Sequence, residues 1–208
     1  MILVGMLESP YVRRVAISAQ CLGVEYKHRP LSVFNDYDEL RQLNPLVKAP
    51  TLVCDDGTVL VDSTLIIQYL LRVSDNGYAL LPGDERQYLS ALKLTGVALV
   101  AIEKIVQVTY ETMRRPADTL HKPWLDRLLQ QLDSALQQLD NAVTGQQPWL
   151  FGKTMSQADI SIAVAWRVSQ YIVTNYVNSS QYQNLVKFSE RAEKQPEFMA
   201  CPVAPIHA

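Results

Sequence analysis

Ser9 stands directly before Pro10 at the start of an amphipathic segment, where a hydroxyl group can act on an anion. No Gly-x-Ser-x-Gly pattern surrounds it and no histidine lies nearby in the chain, so the sequence does not favour a nucleophilic serine. Capping the helix is the commoner role of such a residue. The same hydroxyl can also donate a hydrogen bond to a bound anion, assisted by the helix dipole. If that anion were a thiolate, the hydrogen bond would lower the pKa of the thiol by roughly 1–2.

A second helix start carries an acidic residue and a hydroxyl, in the segment VDSTLI. Asp62 or Ser63 can simply cap this helix, which is the more common arrangement. The same geometry can also bind an amino acid, because backbone N–H groups and a hydroxyl bind its carboxylate while the aspartate binds its ammonium group. Lys48 is either an ordinary surface lysine or a contact for a second carboxylate at the other end of that ligand.

Pro50 lies at the threshold of a β-strand in the segment VKAPTLV. A cis peptide bond between Ala49 and Pro50 would leave the N–H and C=O of Ala49 available to a short extended ligand. Only about 5–6% of X-Pro bonds in folded proteins are cis. The residues by themselves therefore favour the trans isomer.

The segments around these residues predict a small α/β domain. Apolar spacing predicts a helix from Pro10 to Leu22, between strands in MILVG and VEYKHRP. A short helix over Asp38–Leu43 precedes a hairpin in TLVCDDGTVLV, and a further helix covers Asp62–Val73. The predicted order is β-α-β-α-β-β-α, with the first two strands parallel and the hairpin strands antiparallel.

The rest of the chain is helical in pattern, after a segment rich in Gly, Pro, Asp and Asn. Helices are predicted over Arg86–Arg115, Trp124–Val143 and Ser156–Thr174, and within YQNLVKFSERAEKQPEF. We therefore expect an α/β domain at residues 1–78, a linker at 79–85 and an all-helical domain at 86–208.

Composition argues against several classes of function. The net charge of −2 does not suggest a nucleic-acid partner. The apolar window LTGVALVAI is too short to cross a bilayer and no secretory leader is readable, so we expect a cytoplasmic location and no membrane partner. Cys21, Cys54 and Cys201 form no Cys-x-x-Cys pair, and the three histidines are scattered, so no metal site is predicted.

Three segments together resemble a known family. The chain resembles the soluble glutathione S-transferases, and the bacterial members most, in three segments that occur in this order before a helical domain: SPYVRRV, NPLVKAPTL and DSTLIIQYL. The resemblance implies a thioredoxin-like N-terminal domain and an all-α, helical-bundle C-terminal domain. The segment FGKTMSQADISIAVAW strengthens it, since Ser156 and Asp159 fill a capping box and Met155 with Ile160 can form a hydrophobic staple. We assign this motif to folding.

The resemblance also implies a binding site for reduced glutathione. It implies that the bond before Pro50 is cis and that the Ala49 backbone pairs with the cysteinyl part of the tripeptide. It places Asp62 and Ser63 at the γ-glutamyl end, and Lys48 near the glycine carboxylate. Asp62 stands where glutamate is commoner, and Ala49 replaces the usual valine. The second change should be harmless because the backbone of this residue does the binding.

Ser9 stands where the family has its thiol-activating serine, or a cysteine in the thiol-transferase and dehydroascorbate-reductase branches. A serine at this position argues against mixed-disulfide catalysis and favours thiol activation. We expect the second substrate, a small electrophile, between the domains. Tyr11, Tyr110, Met113 and Arg114 are candidates to contact it, or are packing and surface residues.

The leading hypothesis is therefore a transferase that conjugates glutathione, a cosubstrate, to a small electrophile in a detoxification reaction, or uses it in a related peroxidase or isomerase reaction. No tightly bound cofactor is implied, and the resemblance implies a homodimer. The first alternative is a scaffold of this architecture that mediates protein association without catalysis. The second is a thiol-disulfide oxidoreductase, which would need a reactive cysteine at the site.

Overall fold

The contacts of the chain divide it into two compact units. The computed structural model describes residues 1–75, 80–145 and 148–203. One unit comprises Met1–Leu80 with the segment that begins at Gln195, and the other comprises Leu81–Lys194. The segment after Lys194 was expected in the helical domain at 86–208, but its described part groups with the first unit. The expected boundary at 78 and the start of the linker at 79 lie outside the described residues.

The first unit contains a four-stranded mixed sheet with the order β2-β1-β3-β4. The strands are β1 (Ile2–Val4), β2 (Lys27–Arg29), β3 (Thr51–Val53) and β4 (Val59–Val61). Strand β1 pairs with β2 in parallel and with β3 in antiparallel fashion, and β3 pairs antiparallel with β4. The predicted strand order and directions are confirmed.

Eight α-helices occur in the described residues. They are α1 (Pro10–Leu22), α2 (Tyr37–Leu43), α3 (Ser63–Val73), α4 (Glu85–Thr109), α5 (Lys122–Ala142), α6 (Gln157–Ile172), α7 (Gln183–Ala192) and α8 (Pro196–Met199). Short 3₁₀ turns cover Ala117–Thr119 and Ser179–Gln181. Each of these helices is too short or too polar to span a bilayer.

Two predicted helices differ from the observed ones. The long helix expected to reach Arg115 leaves the α form at Thr109 and continues as one π-helical turn, Tyr110–Arg114. The helix expected across YQNLVKFSERAEKQPEF ends at Ala192 and a separate short helix begins at Pro196. Proline has no N–H to donate to the preceding turn, and its fixed φ suits the first position of a new helix.

Helix α1 is defined by its ends and buried over most of its surface. Ser9 is its N-cap and Pro10 its first residue, and Gly23 ends it with a left-handed φ of 65°. The N–H groups of Gly23 and Val24 donate to carbonyls of the last turn. Arg13 and Arg14 are buried together with the apolar residues of the helix, which packs against α3 and α8.

The segment after Lys194 is held to α1 by Arg13. The Nε of Arg13 donates to the carbonyl of Cys201 at 2.9 Å. The guanidinium carbon lies 5.4 Å from the ring centroid of Phe198, a cation–π arrangement. Phe198 itself is fully buried. These contacts explain why this segment belongs to the first unit.

The second unit contains the predicted capping box at the start of α6. The Asp159 carboxylate accepts hydrogen bonds from the Ser156 N–H at 2.8 Å and from the Leu150 N–H at 2.9 Å. The Ser156 hydroxyl accepts from the Asp159 N–H at 3.4 Å. Met155 and Ile160, the predicted staple, are both buried. The capping box is therefore confirmed.

A different carboxylate holds the start of α7. Asp140, near the end of α5, accepts hydrogen bonds from the Asn184 N–H at 3.0 Å and the Leu185 N–H at 2.9 Å. We expect Asp140→Ala to lower the free energy of unfolding by about 1–2 kcal/mol, since it removes a helix cap. Urea denaturation measures this. The control, Asp126→Ala on the same helix, breaks only an exposed ion pair with Lys122 and should cost less than about 0.5 kcal/mol. Equal losses in the two variants would contradict the assignment.

Candidate functional site

The sheet register brings the three predicted site segments to one edge. Thr51, the first residue of β3, lies opposite Val4 on one side and Val61 on the other. The chain leaves β1 toward α1 after Val4, enters β3 at Thr51 and enters α3 after Val61. Three segments therefore lie at the same edge of the sheet. They are the start of α1, the start of α3 and the Ala49–Pro50 segment, which leads into β3.

Gly5 allows two of these segments to approach closely. Its φ is +132°, and a Cβ at this position would lie 2.5 Å from the Val12 side chain and 3.0 Å from the Ala49 Cβ. Any other residue would therefore push α1 and Ala49 apart. Gly5 was not among the candidate site residues, and its only signal in the sequence is its place directly after an apolar strand.

Ser9 occupies the N-cap of α1, half-buried. Its Oγ accepts the Val12 N–H at 3.5 Å, the outer limit of a hydrogen bond. Within the described residues its own O–H is not donated to any protein group. The hydroxyl can therefore cap the helix with its oxygen and still donate its hydrogen to a ligand.

The Ala49–Pro50 peptide bond is cis, as the resemblance implied, so the trans isomer that the residues alone favoured is wrong. Among the residues that the structure describes, the N–H and C=O of Ala49 have no hydrogen-bond partner, so both are available to an extended ligand. Lys48 is exposed, and its carbonyl accepts the Thr51 hydroxyl at 2.6 Å. The segment is thus anchored to β3 at Lys48 while the Ala49 backbone stays available.

Asp62, and not Ser63, is the N-cap of α3. Its Oδ1 accepts the N–H groups of Thr64 at 2.8 Å and Leu65 at 3.3 Å. Asp62 has a φ of 71° and is exposed. Ser63 is the first residue of the helix and is buried. An exposed carboxylate thus lies beside a buried hydroxyl at one helix N-terminus, where an ammonium and a carboxylate can bind side by side.

Arg14 is the site residue that the sequence analysis missed. Its Nη1 donates to the Ser63 hydroxyl at 2.8 Å and to the Thr64 hydroxyl at 3.1 Å. Burial lowers the pKa of Arg14 to about 10, and the charge of Asp62 opposes that shift. The guanidinium therefore stays protonated at neutral pH. The available signal was a pair of adjacent arginines inside an amphipathic helix.

The four residues suggested for a second substrate lie in different units. Tyr11 is half-buried in the first turn of α1. Tyr110, Met113 and Arg114 lie on the π-helical turn of the second unit. All three are exposed, Met113 by 64%. The π-turn thus carries three large side chains that are exposed to solvent.

The cysteine chemistry does not favour a redox site. Cys21, Cys54 and Cys201 are free thiols. Burial raises the pKa of Cys21 to about 12 and also raises that of Cys201, so neither is a ready thiolate at neutral pH. No cluster of three or more His, Cys, Asp or Glu side chains suited to a metal ion occurs within residues 1–75, 80–145 and 148–203.

Family models match both halves of the chain. The family model "Glutathione S-transferase, N-terminal domain" matches residues 3–76 and "Glutathione S-transferase, C-terminal domain" matches residues 101–196. Glutathione transferase GST 23 of Zea mays is 35% identical over 38% of this chain and 36% of its own. The GST-like protein YibF of Escherichia coli is 29% identical over 62% of this chain and 61% of its own. The matches thus span less than two thirds of these relatives.

Solved structures extend the similarity along the whole chain. A glutathione S-transferase of Methylobacterium radiotolerans, in complex with glutathione sulfonate, covers 100% of this chain and 97% of its own, with a TM-score of 0.89 and 22% identity. A glutathione transferase family member of Pseudomonas fluorescens with bound glutathione covers 98% of both chains, with a TM-score of 0.82 and 26% identity. Because two domain models of one family match in order and the fold agrees from end to end, this chain belongs to the glutathione S-transferase family.

Proposed function

We propose that this protein is a glutathione transferase that binds reduced glutathione as cosubstrate and conjugates it to a small electrophile, or uses it in a related reaction. The observation that carries the proposal is the meeting of two helix N-termini and an unpaired backbone segment at one sheet edge. Such an edge suits a short extended peptide with charged ends. The glutathione bound by the Pseudomonas fluorescens relative supports this assignment.

Each residue of the edge has a proposed role in binding. The Ala49 backbone pairs with the cysteinyl residue of glutathione. At the γ-glutamyl end, Asp62 binds the ammonium group, while the hydroxyl and the N–H of Ser63, the first residue of α3, bind the carboxylate. Lys48, exposed beside this segment, binds the glycine carboxylate. Because these are mostly charge-assisted hydrogen bonds, they select a peptide with this pattern of charges.

Ser9 activates the thiol in this proposal. Its O–H donates to the sulfur of glutathione at the N-terminus of α1, where the helix dipole favours negative charge. The thiol loses its proton to solvent and the thiolate forms a carbon–sulfur bond with the electrophile. The leaving group departs with the bonding electrons, or a double bond accepts them and is then protonated. The proposed contacts of the electrophile are Tyr11, Tyr110, Met113 and Arg114.

The proposed assembly is a cytoplasmic homodimer. Large apolar side chains are exposed on α3 and α4, among them Leu65 at 57%, Leu89 at 68% and Leu92 at 44%. Exposed apolar side chains on neighbouring turns of a helix are typical of a surface that another chain covers. Light scattering at micromolar concentration tests this part of the proposal, and a monomer mass would contradict it.

Calorimetric titration with reduced glutathione tests the proposed function. Binding heat followed by turnover on a panel of electrophiles is the expected result. The absence of binding heat would overturn the proposal and favour the non-catalytic scaffold. Binding without turnover of any electrophile would leave only a binding function.

Ser63→Ala should weaken glutathione binding about tenfold, because one hydrogen bond to a carboxylate is lost while the backbone N–H of residue 63 remains. The measurement is the calorimetric Kd, and kcat at saturating glutathione should change little. Ser74→Ala is the matched control. Ser74 lies at the other end of α3, where its hydroxyl donates to the Leu22 carbonyl at 2.8 Å. An unchanged Kd in Ser63→Ala would remove Ser63 from the site.

A further inference from the structure

Arg14 carries a buried positive charge to the N-terminus of α3. The side chain is completely inaccessible to solvent, and its guanidinium hydrogen-bonds to two successive hydroxyls, those of Ser63 and Thr64. Burying a cation is costly unless its surroundings compensate the charge. A charge placed beneath a helix N-terminus, which is itself positive, adds to that cost. Such a residue calls for a role beyond packing α1 against α3.

The direction of the Arg14–Ser63 hydrogen bond restricts the serine. A guanidinium has only donors, so Ser63 Oγ must be the acceptor in the 2.8 Å contact. A serine hydroxyl has one hydrogen and two lone pairs, and the bond to Arg14 occupies a lone pair. The hydroxyl hydrogen therefore points away from Arg14. Hydrogen bonds in a chain polarise one another, which makes this hydroxyl a stronger donor.

We propose that Arg14 is a positioning residue that orients the Ser63 hydroxyl as a hydrogen-bond donor to the γ-glutamyl carboxylate of glutathione. The inference rests on the proposed function, because it assigns the ligand group that Ser63 meets. Arg14 itself does not touch the ligand. Its contribution passes through the Ser63 hydroxyl and disappears when that hydroxyl is absent.

The shape of the arginine side chain fits this role. One nitrogen, Nη1, donates to both hydroxyls, and the planarity of the guanidinium fixes the direction of its N–H groups. Asp62, the exposed cap of α3, contributes a negative charge close by. The Ser63 hydroxyl, oriented by Arg14, and the Asp62 carboxylate thus offer a donor and an acceptor to the carboxylate and ammonium groups of one amino acid.

A double-mutant cycle tests the proposal with calorimetric Kd values for reduced glutathione. We expect Arg14→Met to weaken binding roughly five- to tenfold and Ser63→Ala about tenfold. The double variant should match Ser63→Ala within about a factor of two, because Arg14 acts only through that hydroxyl. Effects that multiply in the double variant would overturn the proposal. In steady-state kinetics, Arg14→Met should raise the KM for glutathione and change kcat little.

Two further variants complete the design. Arg13→Met removes the neighbouring buried arginine, which binds the Cys201 carbonyl, and should lower stability without changing the Kd. If Arg14→Met does not fold, Arg14→Lys replaces it in the same cycle. A several-fold loss that vanishes in the Ser63→Ala background remains the expected result. Parent protein that binds no glutathione would overturn the proposed function and this inference together. A normal parent Kd with an unchanged Arg14 variant would overturn this inference alone.

Discussion

Ser9→Ala is expected to lower the rate of conjugation at neutral pH by roughly ten- to a hundred-fold, while the glutathione Kd changes little. The Ser9 hydroxyl donates to the thiolate of the bound tripeptide, and a hydrogen bond to a charged group contributes about 1.5–3 kcal/mol. Without it the thiol pKa rises, so a smaller fraction of bound glutathione is ionised near neutral pH. The Ala49 backbone and the α3 N-terminus still bind the rest of the ligand.

The pH profile separates this explanation from a loss of structure. A hydroxyl that favours the charged form lowers the thiol pKa, so its removal should shift the midpoint of kcat/KM to higher pH. The rates of parent and variant should converge above both midpoints. Ser9→Ala also removes the α1 cap, which costs about 0.5–2 kcal/mol of stability. Ser9→Thr keeps both hydroxyl and cap and should resemble the parent. A variant profile that superimposes on the parental one would contradict the role of Ser9.

Phe198→Ala is expected to lower the free energy of unfolding by about 3–5 kcal/mol, the largest effect on stability predicted for this chain. Phe198 is fully buried in the first unit. Its removal leaves a cavity beside α1, and it also takes away the ring beneath the Arg13 guanidinium. A buried cation that loses part of its surroundings adds to the cost of the cavity. Chemical denaturation followed by fluorescence and circular dichroism measures the change.

Met199→Ala is the matched control for this prediction. Met199 is the next residue of the same short helix, but 60% of its surface is exposed. Its truncation should change the free energy of unfolding by less than about 0.5 kcal/mol. If Phe198→Ala were no more destabilising than Met199→Ala, the segment from Gln195 would not be a structural part of the first unit.

Periodic features of the sequence predicted most of the fold. Alternating apolar residues and an Asp-Gly turn located β3 and β4, and the stripe between Pro10 and Leu22 located α1. These signals are local, because each depends on residues within a few positions. The starts of α1 and α3 were also predicted, since Ser9 and Asp62 are residue types that cap helices. A hydroxyl or carboxylate at the start of a helix can both cap the helix and bind a ligand, so the same residue type predicts both.

The remaining features depend on contacts between distant segments. Arg14 is a charged residue on a helix, and nothing in its neighbours shows that its guanidinium meets Ser63. Gly5 is required because its φ is +132° and because the Val12 and Ala49 side chains lie against it in space. Phe198 belongs to the first unit because Arg13 holds the segment around it. In each case tertiary packing determines the role, and local propensity carries no information about it.

The first unit is built from residues at both ends of the described chain, so it cannot be completed until the last of them has been synthesised. The sheet and α1 emerge from the ribosome before any residue of the second unit, whereas Phe198 emerges after all of it. The surface of α1 that Phe198 covers, and the buried face of Arg13, therefore stay in contact with water throughout that interval. Nascent chains ending at Lys194 should be more sensitive to protease in residues 1–80 than chains extended past Cys201.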